Sequence, residues 1–150
     1  MNIQRVKQGA KITLYNGIYM IIFGLFYIGL VNFNMKSNFY VINGIWQLFI
    51  KYNPEISNLF IYFNIIIGVF MISMGIIVIY MSYFILKRKE KMTWLILLLS
   101  GLIGWAGLLI VSFLMKNKLL IGLSSFGWIT FILGMILPLR YYLEKTYREY

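Results

Sequence analysis

The chain has 150 residues, 61% of them hydrophobic and 12% charged, with a formal net charge of +10. A soluble domain of this size has too little interior to hide so much apolar surface, and the excess would aggregate. The composition therefore excludes an ordinary water-soluble fold and makes lipid the solvent for most of the chain.

Four runs, residues 14–31, 59–86, 92–115 and 119–139, contain no Asp, Glu, Lys, Arg or His. Each is long enough to cross a hydrocarbon core of roughly 30 Å as a helix, which satisfies its own backbone hydrogen bonds there. The expected fold is all-α: one transmembrane domain over residues 1–150, built as an antiparallel four-helix bundle. The first run lacks a small-x-small exit and is read as a retained span rather than a cleaved leader.

Ahead of the first span lie Arg5, Lys7 and Lys11. With Lys87, Arg88, Lys89 and Lys91 after the second span, and Arg140, Lys145 and Arg148 after the fourth, ten basic residues fall on one side of the membrane. Lys36, Lys51, Lys116 and Lys118 make four on the other. The positive-inside bias then places both termini in the cytoplasm, with the plasma (inner) membrane as the expected host. A nucleic-acid reading of "KRKEK" would need a contiguous basic surface with stacking aromatics, which the sequence does not offer, so no nucleic-acid partner is expected. Lys87, Arg88, Lys89, Lys91 and Arg140 are instead read as topology signals that attract lipid headgroups.

Between the first two spans, residues 32–58 form an outer loop. Its apolar centre, 39–50, is too short to span and too hydrophobic for an open loop, so a short interfacial or re-entrant helix is expected, ended by Asn53 and Pro54. Tyr40 and Trp46 suit headgroup depth. Asn43, Trp46 and Gln47 are the loop's candidates for specific binding. The second and third spans are joined by five residues and the third and fourth by Lys116, Asn117 and Lys118, links short enough to force antiparallel neighbours.

Three spans carry glycines seven apart: Gly17 with Gly24, Gly68 with Gly75, and Gly127 with Gly134. Seven residues are two turns, so each pair lies on one helix seam, where small residues let helices approach in lipid. The third span adds Gly101, Gly104 and Gly107. The segments "NGIYMIIFG" and "NIIIGVFMISMG" are similar, but in sequences this apolar such likeness is not read as a repeat. Counting from Asn117 at 1.5 Å per residue puts Trp105 and Trp128 at one depth near the bilayer middle, where Trp is unusual. Ser73 and Thr130 reach a similar depth, and the four are expected either to line an apolar pocket or to pack on glycines of neighbouring helices. The residues from 140 to 150 continue as a cytoplasmic helix with pairs four apart, Arg140 with Glu144, Glu144 with Arg148 and Lys145 with Glu149; Pro138 bends its start.

Without His, Cys or Asp, the usual nucleophile and base pairs and most metal sites are missing, so neither an enzyme nor a bound cofactor or metal is expected. The chain is similar to small multidrug transporters in length and span count, but lacks their membrane glutamate; it also lacks the cysteines of quinone-linked thiol oxidoreductases and of tetraspan junction proteins. The expectation is a non-catalytic membrane protein that assembles with itself (a homo-oligomer), with another membrane protein or with lipid through its glycine seams. The alternative is a small oligomeric channel, holin-like pore or facilitator for neutral or apolar solutes, which needs a polar stripe.

Overall fold

The computed structural model describes residues 2–31 and 46–148. Six helices follow one another: α1 (Asn2–Gly29), α2 (Trp46–Tyr52), α3 (Pro54–Arg88), α4 (Lys91–Leu114), α5 (Lys118–Ile136) and α6 (Leu139–Arg148). No strand occurs among the described residues. Helices α1, α3, α4 and α5 are long and apolar enough to cross a membrane, which marks the chain as an integral membrane protein.

The outside of the bundle is apolar, unlike that of a soluble bundle, and several polar side chains join the hydrophobic core. Ile22, Phe63, Phe70, Ile103, Leu114 and Ile129 point outward and are more than half exposed, whereas Thr13, Asn16, Asn64, Ser82, Ser112 and Ser124 are buried beside the glycines. Large aliphatic groups gain nothing from leaving hydrocarbon, so small and polar residues can take interior places, where Thr13, Asn16, Ser112 and Ser124 find hydrogen-bond partners.

Element ends differ from the apolar runs. α1 takes in the basic tail, because Val6, Ala10 and Thr13 bury one stripe of it. α3 starts at Pro54, five residues before the apolar run, with proline at its opening position and Glu55 in its first turn, both favourable at a helix start. Its 35 residues give a rod of about 52 Å, longer than the hydrocarbon needs. Residues 54–58, expected in the outer loop, therefore belong to α3. Asn53 separates α2 from α3. Asn43 lies outside the described residues, as do the side chains of Trp46 and Gln47.

The five-residue link expected between the second and third spans is only Lys89 and Glu90. Lys89 adopts a left-handed conformation (φ 53°) and its N–H reaches the Ile85 carbonyl at 3.1 Å, closing the helix end. Lys87 folds back over the Tyr83 ring and Arg88 over Phe84, while Arg88 lies 3.8 Å from Glu90. At the other end of α4, Lys116 also has φ 53°, and Asn117 caps α5 by accepting the Leu120 N–H. Leu137 and Pro138 interrupt the last helix before α6, and the carbonyl of Gly134 faces Gly9 of α1. The start of α1, the α3–α4 link and the end of α5 thus share one end of the bundle. The expected ion pairs of the tail involve side chains 144–149, outside the described set.

Candidate functional site

Helix α1 is the hub, lying against α3 along its length and against α5 on another face. The first seam is reciprocal. A Cβ on Gly24 would stand 2.6 Å from the Gly68 carbonyl oxygen, and one on Gly68 would stand 2.9 Å from that of Gly24. Gly17 and Gly75 repeat the relation at 2.9 and 2.7 Å. Beside each glycine sits an isoleucine of the partner helix: Ile79 at Gly17, Ile72 at Gly24, Ile28 at Gly68 and Ile21 at Gly75. The seam is thus tight enough to exclude even a methyl group.

The second seam pairs rings with glycines. The Trp105 indole of α4 lies on Gly127 of α5, and the Phe131 ring of α5 lies on Gly101 of α4. Gly134 meets Gly9 and Thr13 of α1. The glycine pairs Gly17/Gly24, Gly68/Gly75 and Gly127/Gly134, and Gly101, are therefore occupied within the chain. Gly29, Gly107 and Gly122 have nothing within 4 Å of an added Cβ, and Gly104 has only the Met74 methyl at 3.9 Å.

At mid-height, Asn16 joins three helices. Its Nδ2 donates to the Gly127 carbonyl and to Thr130 Oγ1, each at 2.8 Å, and its Oδ1 accepts the Trp105 Nε1–H at 3.1 Å. An amide 2% exposed in a lipid-embedded bundle must find such partners, since hydrocarbon offers none. Tyr19 extends the node, stacking on Trp105 with centroids 6.0 Å apart and donating to the Leu123 carbonyl at 2.8 Å. Farther along, Ser124 bonds the Leu120 carbonyl and approaches Ser112, which bonds the Leu108 carbonyl. Asn16, Thr130, Ser112 and Ser124 are thus held in local bonds and form no open polar stripe.

Although joined by two residues, α3 and α4 touch less than the other neighbouring spans. Between them lies a cavity of about 320 Å³. Met71 and Met74 of α3, Met20 of α1, and Gly104, Gly107 and Trp105 of α4 are among its lining residues, with Met115 and Leu120 at one end. Ile67, Phe70 and Val111 also line it and are themselves exposed to the outside of the bundle, so its mouth opens sideways into the bilayer. Glycine at 104 and 107 removes the side chains that would fill the gap, and unbranched methionines make a wall that can reshape. Space in the size range of small-ligand sites, with an apolar lining, suits a hydrocarbon guest.

The four residues grouped by depth do not share this cavity. Trp105 lines it. Thr130 belongs to the Asn16 node, and Ser73 is exposed on the outer face of α3 beside Ile66 and Val69. Trp128 packs against the core from α5, and its buried Nε1–H has no hydrogen-bond partner among the described residues. Rise per residue gives height on a helix but not direction around it, which explains the misgrouping. Of the basic candidates, Lys87 and Arg88 are exposed beside the α3–α4 link and Arg140 is exposed on α6. Lys89 within that link and Lys91 just after it are partly buried. The cavity methionines and Asn16 escaped the sequence reading as site residues. A lone amide at the level of Trp105 was the available signal for Asn16.

The chain matches no family model, no curated protein and no solved structure. Its function is read from this geometry.

Proposed function

We propose that the protein is a non-catalytic four-span membrane protein that holds a lipid acyl chain in the cavity between α3 and α4. Both termini and the α3–α4 link face the cytoplasm in this reading, which rests on the ten-to-four split of Lys and Arg, and the host is the plasma (inner) membrane. The observation that carries the proposal is the lateral mouth: the cavity is apolar, lies within the spans and opens where acyl chains are the solvent. Assembly with a second copy or another membrane protein would use faces other than the α1–α3 and α4–α5 glycine seams, which are filled. The pore alternative is less well supported, because Asn16, Thr130, Ser112 and Ser124 are bonded to neighbouring groups, and the unpartnered Asn64, Ser82 and Trp128 stand apart on two helices rather than along one stripe.

Trp105 provides the test. It is fully buried, yet lines the cavity. In a variant with Trp46, Trp94 and Trp128 changed to Phe, phospholipids brominated along the acyl chain should quench Trp105, and Gly107→Leu, which fills the cavity, should remove most of that quenching. Equal quenching with and without Gly107→Leu would place no chain in the cavity and overturn the proposal.

A further inference from the structure

We infer that the guest is an anionic glycerophospholipid drawn from the leaflet at the α4–α5 end of the bundle, with one acyl chain in the cavity and its phosphate beside Lys116 and Lys118. The inference rests on the acyl-chain reading and adds headgroup class and leaflet.

The cavity spans one half of the membrane. On α4 its wall runs from Gly101, near the helix midpoint, to Met115, about 21 Å along the axis, and on α5 it reaches Leu120 in the first turn. One leaflet's share of a hydrocarbon core of roughly 30 Å is shorter than that wall, so a chain of that leaflet fits along it. Toward the α3–α4 link, Ser82 and Ile85 of α3 and Trp94 and Leu97 of α4 are buried, and that half is filled. Among the described residues, a chain thus has room to enter with its headgroup at the end of the bundle that carries the α4–α5 turn.

That turn is basic. Lys116 and Lys118 are both exposed, and neither has an acidic partner among the described residues. They stand next to Met115 and two residues before Leu120, the residues that end the cavity. The left-handed conformation of Lys116 and the capping of α5 by Asn117 hold the turn in one shape. Lys51 is exposed on α2, just before α3, and Glu55 in the first turn of α3 is the acidic residue described nearest it in sequence. Inside the cavity Ser112 is already bonded to Leu108, so a polar headgroup finds its partners outside, at the lysines. On the proposed topology this is the outer leaflet, opposite the more basic face.

The test is native mass spectrometry of the protein released from vesicles of equal parts phosphatidylglycerol and phosphatidylcholine with identical chains. One retained lipid is expected, enriched in phosphatidylglycerol by about fivefold for each lysine that contacts it. Lys116→Gln with Lys118→Gln should abolish the enrichment and keep the lipid, whereas Lys87→Gln with Arg88→Gln should change neither. Both pairs are exposed, so folding is not at issue. Enrichment that survives the first pair, or is lost with the second, overturns the inference and leaves the acyl-chain reading standing. Retention of no lipid, or retention unaffected by Gly107→Leu, overturns the acyl-chain reading itself.

Discussion

Asn16 and Asn64 are the same residue type, each 2% exposed, and the structure assigns them opposite energetic roles. Changing Asn16 to Leu removes two interhelical bonds from Nδ2, worth on average about 0.6 kcal/mol each between membrane helices. It also strands the Trp105 Nε1–H, whose ring is pinned on Gly127 and cannot turn to another acceptor, at a cost of about 1–3 kcal/mol. Thr130 keeps the Phe126 carbonyl as an acceptor, which limits the damage. The sum is a loss of about 2–4 kcal/mol. Asn64→Leu should be neutral or stabilising, because its Nδ2 has no partner among the described residues and its removal relieves a buried unsatisfied donor. Reversible unfolding in mixed micelles, driven by a denaturing detergent and followed by tryptophan near-ultraviolet circular dichroism, measures both. Equal shifts for the two variants, or a loss under about 0.5 kcal/mol for Asn16→Leu, would refute the argument that partners and not burial decide the outcome.

The same titration separates the glycines. Gly24→Ala must push a backbone carbonyl aside and should destabilise by about 1–3 kcal/mol despite alanine's better helix propensity, while Gly122→Ala, with open space around it, should be neutral or stabilising by up to about 1 kcal/mol. Tyr142 of α6 stacks on Trp94 with centroids 5.2 Å apart, and burial, followed by the neighbouring Tyr141, pushes its hydroxyl up to about 12. A raised folded-state value means that its contribution is whole below the ordinary tyrosine value near 10 and is lost as pH rises from there toward 12. Stability measured across that window should fall for the native chain and fall less for Tyr142→Phe.

The four spans were legible because hydropathy and length are properties of a run and need no partner. The ends were less so. Arg5, Lys7 and Lys11 look like a solvated tail, yet Val6, Ala10 and Thr13, among them and just after, face the bundle, a three-to-four spacing that a charge count passes over. Inside the spans the difficulty is direction. A membrane helix is apolar on every side, so the pattern that turns a soluble helix toward its core is almost absent, and Trp105 and Trp128 cannot be told apart by depth. Glycine spacing gave better guidance than hydrophobicity, since only residues without side chains permit the approach seen at Gly24 and Gly68. The cavity left no such mark, because a gap is produced by residues that are small or flexible on several helices at once, and Met20, Met74 and Gly107 are unremarkable one at a time.

The α1–α3 seam has a symmetry that the chain does not advertise. Each helix offers glycine, then isoleucine four residues later, then the same again two turns from the start: Gly17, Ile21, Gly24 and Ile28 on one, Gly68, Ile72, Gly75 and Ile79 on the other. Reversing one helix maps the set onto its partner, as in an isologous contact between identical subunits. Each face is therefore complementary to itself as well as to the other. A detached copy of either helix carries the same glycine and isoleucine set that the antiparallel contact uses. In the intact protein the chain between them makes the heterotypic pairing intramolecular, which raises its local concentration over pairing between copies.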